Sequence, residues 1–287
     1  MSHIFEACVL RISIPSRAVA RPHARLSVPR FATPHLAIAY LAIPYLALPL
    51  LALALGAAPA AAIEGGAAGR AGDALAQATV GLGTVTDPGD GLHLSRCTGV
   101  LIAPDLILTA AHCVNGDPLG SLVVFFRGSE PVKPVRTARV TARYSPDPGQ
   151  MTSNVVDVDL NALSLDLAVL RLAEPVRDRV PVPLATDPSR VPRSLRVAGT
   201  GVSGRTVGRL RTVGLTPVAA SSTGLTVARV NGGRVCFGDS GGPVVGQDRR
   251  GLFVWGVASA VLSRQAPCGN LVVIAPAAQV FTSPGMR

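Results

Sequence analysis

The sequence predicts an all-β protein made of two units of similar size. Its 24 prolines and 30 glycines are scattered without a fixed period, which is typical of many short strands joined by turns. Short apolar runs bounded by turn residues occur at residues 78–85, 97–102, 106–109, 122–126 and 165–172, and again at residues 195–198, 225–230, 243–245, 252–257 and 271–274. The segment 174–193, rich in proline and charge, separates the two sets and indicates a linker over the surface.

A leader precedes these units. Residues 36–56 form an apolar run that follows five arginines and leads into a small-residue stretch ending at Ala62. A basic region, an apolar core and an A-x-A end are the three parts of a secretory signal peptide, so residues 1–62 are interpreted as a cleaved leader. A membrane anchor is the alternative, because the run is long enough to span a bilayer, although Pro44 and Pro49 interrupt it.

The charge of the chain does not indicate nucleic-acid binding. The formal net charge is +10, but five of the 27 basic residues lie in the leader, and 22 basic and 16 acidic residues follow it. Lysine occurs once, at Lys133, and aromatic residues make up 4% of the chain, whereas nucleic-acid platforms combine positive charge with stacking aromatics. With 48% hydrophobic and 15% charged residues, the chain is expected to bury a core.

Four cysteines follow the leader, namely Cys97, Cys113, Cys236 and Cys268. An even number favours disulfides in an oxidising compartment, and four cysteines allow three pairings. Metal binding is the alternative, but no pair has the C-x-x-C spacing of a zinc site and only two histidines follow the leader. We therefore expect a secreted or periplasmic protein that needs no metal and no cofactor.

Three strings contain the residues of nucleophilic catalysis: T-A-A-H-C ending at Cys113, D-L-A-V-L from Asp166, and G-D-S-G-G-P around Ser240. A serine hydroxyl is a weak nucleophile, so it needs an adjacent base, and the base needs a third group that fixes its tautomer. His112 ends an apolar strand in a turn of small residues, whereas His93 lies among glycine and serine in an expected loop. The candidate triad is therefore Ser240 as nucleophile, His112 as base and Asp166 as the group that orients it.

The glycines around Ser240 predict a tight bend behind the nucleophile. We expect the backbone N–H groups of Gly238 and Ser240 to form an oxyanion hole. The string also fits the G-x-S-x-G elbow of α/β-hydrolases, which requires a histidine after the serine, but none follows Ser240. The subtilisin order would need an upstream aspartate such as Asp105, in a context unlike that family. The order here is histidine, aspartate, serine.

The strings in this order resemble the trypsin and chymotrypsin family over residues 63–280. The resemblance implies two antiparallel six-stranded β-barrels, at residues 63–173 and 194–280, with the active site in the cleft between them. It implies one peptidase domain, residues 63–287, that acts as a monomer. It also implies hydrolysis of protein or peptide substrates through an acyl-enzyme intermediate.

The same resemblance implies two disulfides. Cys97 would pair with Cys113 and fix the histidine loop. Cys236 would pair with Cys268 and hold the walls of the specificity pocket together.

The end of the leader also has a counterpart in the family. Ile63, which begins the string I-E-G-G, resembles the mature family N-terminus, whose ammonium pairs with the aspartate before the nucleophile, here Asp239. Cleavage after Ala62 would expose this ammonium directly, without a separate activating protease. An ordinary signal junction is the alternative.

Counting along the sequence from Ser240 assigns the substrate pocket. By resemblance its lining residues are Arg234, Val235, Phe237, Ser259, Ala260 and Val261. Arg234 stands where a trypsin pocket has aspartate, and a cation there would repel Lys and Arg side chains, unless it points to solvent. Small apolar or acidic side chains are the expected substrates. Trp255 is expected in the core rather than in the pocket.

Two other functions remain open at this point. A catalytically inactive family member could act as a binding protein, although all three triad residues are present. A membrane-tethered protease would result if the leader stayed uncleaved. Membrane association is expected only through this leader.

Overall fold

The computed structural model describes residues 62–87, 89, 91–116, 118–144, 166–185, 187, 190–203, 206–220, 225–262 and 268–281. Almost all of the leader, and so the choice between signal peptide and anchor, lies outside these residues. Within the described part, no helix is long and apolar enough to cross a membrane.

The first half of the described chain forms a closed barrel. A short strand β1 (Ala67–Ala68) and helix α1 (Ala74–Ala78) come first, followed by β2 (Thr79–Thr86), β3 (His93–Ala103), β4 (Leu106–Thr109), β5 (Pro118–Arg127), β6 (Glu130–Tyr144) and β7 (Leu167–Leu172). The six strands of the barrel are antiparallel and close in the order β2-β3-β4-β7-β6-β5. Alternate side chains point inward, so that Val80, Leu82, Ile107 and Leu170 are fully buried in its core.

The second half forms another closed ring of strands. Its elements are β8 (Leu195–Gly199), β9 (Val202–Ser203), β10 (Thr206–Val207), β11 (Arg211–Ala220), β12 (Thr226–Val230), β13 (Val235–Cys236), β14 (Pro243–Asp248), β15 (Gly251–Leu262), β16 (Cys268–Gly269) and β17 (Leu271–Pro276). Strands β11-β12-β17-β15-β14-β8 are neighbours in that order, and the pairing of β11 with β8 closes the ring. The expected fold of two six-stranded antiparallel barrels is confirmed.

Besides β1 and α1, three further features of the described residues lie outside the two rings. Strands β9 and β10 pair with each other, as do β13 and β16. Short 3-10 helices at Ala111–Val114 and Ala277–Phe281 follow β4 and β17.

Trp255 is 1% exposed in the core of the second barrel, where its sequence context placed it.

Among the described residues, the linker and the N-terminal segment both contact the second barrel. In the linker, Val182 donates its backbone N–H to Leu101 of the first barrel, and Leu184 pairs with Val254 of the second. The N-terminal residues were expected to start the first barrel at Ile63. Instead, the first barrel strand begins at Thr79, and β1 pairs with β11 of the second barrel.

His93, expected in a loop, is the first residue of β3.

The turn after Ser240 packs directly against the first barrel. Gly241 has φ +76°, and a Cβ atom there would lie 2.0 Å from Thr109 Oγ1 and 2.3 Å from the carbonyl oxygen of Thr98. A residue with a side chain would collide with both, so this position requires glycine. The close approach fixes the Ser240 turn against β3 and β4.

Candidate active site

Strand pairing brings His112 and Asp166 together. His112 lies in the 3-10 helix just after β4, and Asp166 directly precedes β7, which pairs with β4 through Thr109 and Ala168. The His112 backbone N–H donates to Asp166 Oδ1 over 2.9 Å, and the ring Nδ1 lies 2.7 Å from Asp166 Oδ2. Two contacts to one buried carboxylate fix both the position and the orientation of the imidazole ring.

Ser259 is a third partner of this carboxylate. Its hydroxyl donates to Asp166 Oδ2 over 2.6 Å, and its side chain is buried. The resemblance assigns Ser259 only to the pocket wall, since a position along the sequence does not reveal where its hydroxyl points. In the structure it crosses from β15 of the second barrel to the carboxylate of the first.

The two titratable groups shift each other. Burial alone lowers the pKa of His112, but the charge of Asp166 and the hydrogen bond to it outweigh burial and raise that pKa above 6.5. Burial raises the pKa of Asp166, whereas the charge of His112 and the hydrogen bonds from His112 and Ser259 lower it below 3.8 overall. Asp166 is therefore ionised at neutral pH and favours the protonated imidazole.

Ser240 lies near His112. Its Oγ is buried without a partner among the described residues. The sulfur of Cys113 lies 3.8 Å from His112 Nε2 and 3.7 Å from the Ser240 carbonyl oxygen. His112 and Ser240 therefore both contact this sulfur. Catalytic hydrogen bonds in free enzymes are often long and tighten when substrate binds.

Both disulfides expected from the resemblance are present, Cys97–Cys113 and Cys236–Cys268. The described residues contain two clusters of potential metal ligands, one at Cys97, His112 and Cys113 and one at Glu64, Cys236 and Cys268. Because all four cysteines are in disulfides, neither cluster offers a thiolate ligand.

The loop that contains Ser240 offers two backbone N–H donors. Gly238 has φ +87°, which a residue with a side chain rarely adopts. Within the described part of the chain, the N–H groups of Gly238 and Ser240 donate to no other backbone group. These are the two N–H groups that the sequence assigns to the oxyanion hole.

Asp239 lies within this loop, between Gly238 and Ser240. Its carboxylate is fully buried and accepts from the backbone N–H groups of Cys236 (2.8 Å), Gly201 (2.9 Å) and Ile63 (3.1 Å). Burial outweighs these three bonds and raises the pKa of Asp239 to about 7. Ile63 has φ +32°, a strained value for a β-branched residue.

Arg234, which the resemblance assigns to the pocket floor, makes two polar contacts. One guanidinium nitrogen donates to the Cys268 carbonyl over 2.9 Å, and another lies 3.5 Å from Glu64 Oε2. Its side chain is 43% exposed.

The remaining residues assigned to the pocket are mostly apolar. Val235 and Val261 are buried in the same apolar cluster, with Phe237 and Ala260 packed against it.

The geometry around His112 predicts its titration. In a Ser240→Ala variant, ring NMR signals should give a His112 pKa above 6.5, because Asp166 stabilises the imidazolium. In the double variant that also contains Asp166→Asn, the negative charge beside His112 is gone and its burial remains. The His112 pKa should then fall below 6.5. A His93→Gln variant identifies the second ring, and an unchanged His112 pKa in the asparagine variant would contradict the assigned pairing.

The trypsin family profile matches residues 65–281. Serine protease Hayan of Drosophila melanogaster is 36% identical over 118 residues, which cover 37% of this chain and 17% of Hayan. Snake venom serine proteinase 14 of Crotalus adamanteus is 28% identical over 184 residues, covering 57% of this chain and 68% of the venom protein. Neutrophil elastase of Mus musculus is 28% identical over 174 residues, covering 52% of this chain and 58% of the elastase.

The chain thus matches less than two thirds of the length of Hayan and of the elastase. Among solved structures, HL collagenase has a similar fold, with a TM-score of 0.57 at 20% identity over 77% of this chain and 96% of the collagenase. The family profile extends over most of the chain and includes both barrels and all three candidate catalytic residues. The protein belongs to the trypsin family of serine proteases, peptidase family S1.

Proposed function

We propose that the chain is a secreted serine endopeptidase in which Ser240 attacks the peptide carbonyl, His112 is the general base and Asp166 orients His112. The observation that carries this proposal is the pair of contacts from His112 to buried Asp166, at 2.9 and 2.7 Å. These contacts leave Nε2 as the ring nitrogen that can accept a proton. Membership of the family and the two disulfides, which suit an oxidising compartment, support it.

In the first half of the proposed reaction, Ser240 Oγ bonds to the carbonyl carbon and its proton passes to His112 Nε2. The carbonyl oxygen becomes an oxyanion, which the N–H groups of Gly238 and Ser240 stabilise. Asp166 stabilises the imidazolium, since it already raises the pKa of His112. The imidazolium then gives its proton to the leaving amine as the C–N bond breaks, and an acyl-enzyme remains.

In the second half, water takes the place of the amine. His112 accepts a proton from water as the water oxygen bonds to the acyl carbon. Collapse of the second oxyanion breaks the bond to Ser240 Oγ, which recovers its proton from His112. No cofactor or metal takes part in these steps.

The triad is tested by single and double substitutions. Replacing Ser240, His112 or Asp166 by Ala should lower kcat by roughly 10⁴-fold or more, and double variants should lose little further, because the three act as one unit. His93→Ala, the control for the other histidine, should be nearly silent. Near-normal hydrolysis by His112→Ala would refute the assignment.

Labelling with a fluorophosphonate separates the protease from the inactive binding protein. The reagent reports activation of the nucleophile without requiring a known substrate. The mature protein should be labelled and the Ser240→Ala variant should not. Equal absence of label in both would favour the inactive alternative.

We propose that maturation ends with cleavage between Ala62 and Ile63. Both residues are fully buried, so a protease could not reach this bond in the folded chain, which supports cleavage during export. The strained φ of Ile63 supports the same site, because an N-terminal residue has no preceding carbonyl to collide with. The new ammonium would supply the cation that buried Asp239 lacks.

N-terminal sequencing of the secreted protein should therefore begin at Ile63. Retaining Ala62 as the first residue, or replacing Asp239 by Asn, should lower kcat/KM about 10²-fold or more, since a buried ion pair that loses one partner is strongly destabilised. Asp248→Asn, an exposed control, should have little effect. Full activity in a protein with a different first residue would refute this mechanism.

We propose that the pocket selects small apolar side chains. The buried valines at positions 235 and 261 offer no charge. The nearby carboxylate of Glu64 is paired with Arg234, so Lys and Arg would lack a free anionic partner.

Digestion of a peptide library should show preferred cleavage after small apolar residues and poor cleavage after Lys or Arg. Val261→Ala should improve cleavage after larger apolar residues by roughly tenfold, because a pocket enlarged by two methyl groups accepts more volume. Val218→Ala on exposed β11 is the control. Preferred cleavage after Lys or Arg by the unmodified protein would refute this pocket assignment.

A further inference from the structure

Thr98 contacts the nucleophile loop through both its backbone and its side chain. It lies on β3 next to Cys97 and is fully buried. Its backbone N–H donates to the Ser240 carbonyl over 2.8 Å, and its hydroxyl donates to the Gly238 carbonyl over 2.8 Å. One residue of the first barrel therefore holds the two carbonyls on either side of Asp239.

The hydrogen bonds around this hydroxyl have a single consistent direction. A threonine hydroxyl has one proton and can accept two more hydrogen bonds. The Gly238 carbonyl can only accept, so the Thr98 proton must point to it. Thr200 then donates twice to Thr98 Oγ1, from its backbone N–H and from its own hydroxyl, each over 3.0 Å. Every hydrogen-bonding capacity of the Thr98 hydroxyl is used.

Two further contacts hold Thr98 and Thr200 in place. The Thr109 hydroxyl, at the end of β4, donates to the Thr98 carbonyl over 2.7 Å. Gly201, next to Thr200, donates its N–H to Asp239 Oδ1 over 2.9 Å. All three threonines are fully buried. The loop is thus tied directly to β3 and to the Thr200–Gly201 segment after β8, and Thr109 of β4 supports it through Thr98, by polar contacts that water does not reach.

Gly238 needs such a restraint. Without a Cβ atom, glycine has little steric preference between its backbone conformations, so its φ of +87° must be maintained by bonds from outside the residue. The Thr98 hydroxyl anchors the carbonyl of the same residue whose N–H is a proposed oxyanion donor. A rotated Gly238 would turn that N–H away from the reacting carbonyl.

We infer that Thr98 is a positioning residue for the oxyanion hole, acting through the Gly238 carbonyl. This inference rests on the proposed peptidase function. The Thr98 hydroxyl touches neither substrate nor the reacting atoms. Its contribution is to keep the Gly238 N–H directed at the position where negative charge develops.

Matched substitutions test this role. Thr98→Val keeps the shape and removes the hydroxyl, and should lower kcat about 10- to 100-fold with KM changed less than about threefold, since loss of one oxyanion donor costs 10²–10³ in kcat. Thr98→Ser keeps the hydroxyl and should stay within about threefold of the unmodified kcat. Thr79→Val is the control, because Thr79 is equally buried and its hydroxyl donates to Leu75 over 2.7 Å in helix α1.

A transition-state readout separates positioning from general destabilisation. A peptide boronic acid bonds to Ser240 and places an oxygen in the oxyanion hole, so its affinity should fall in Thr98→Val by the same factor as kcat. In Thr79→Val, affinity and kcat should remain unchanged even if its melting temperature falls as far. If Thr98→Val does not fold, the smaller Thr98→Ala takes its place and should show the same loss.

The outcomes are distinct for the two proposals. An active unmodified protein together with unchanged kcat and boronate affinity in the hydroxyl-free Thr98 variants would overturn the role of Thr98 alone. Failure of Thr98→Ser to retain activity would also overturn it, since the hydroxyl would then not be the group that matters. An unmodified protein that neither hydrolyses peptides nor takes up a fluorophosphonate would overturn both proposals.

Discussion

The buried carboxylate of Asp239 is the constraint on which the arrangement of the site depends. It accepts hydrogen bonds from the backbone of Ile63, of Gly201 after β8 and of Cys236 in the Cys236–Cys268 disulfide. These three segments surround the loop that contains Gly238 and Ser240. Because the chain cannot bury a carboxylate without donors around it, satisfying Asp239 also determines where the loop with Gly238 and Ser240 lies.

The charge at Ile63 determines how the Asp239 carboxylate affects the free energy of unfolding at neutral pH. While Ile63 is joined to Ala62 it offers only an amide N–H, and the pKa of Asp239 is raised to about 7. An acid with a raised pKa binds its proton more tightly when folded, so the free energy of unfolding falls as pH rises from about 4 to about 7, by roughly 4 kcal/mol in all. An ammonium at Ile63 would lower that pKa and so reduce this loss. Cleavage would therefore favour the folded loop at neutral pH.

The apolar pattern predicted most of the strands, including all four residues of β4, but not all of them. Strand β6 was missed because Glu130–Tyr144 contains two prolines and four basic residues. Its place in the barrel comes from pairing with β5 and β7 on both sides, a long-range constraint that local propensity does not contain. Strand β11 was missed for a similar reason, since Gly214 and Pro217 interrupt its apolar pattern.

The sequence motifs indicated which residues belong to the site but not the contacts that hold them. His112, Asp166 and Ser240 have side chains whose chemistry marks them as candidates. Thr98 does not, because its partners lie 102 and 140 residues away and include a backbone carbonyl. Residue types do not reveal which backbone oxygen a side chain will bond to. The restraint on the proposed oxyanion donor can therefore be identified only from the folded structure of both barrels. Orientation of the proposed hole therefore depends on a residue outside every motif that identifies it.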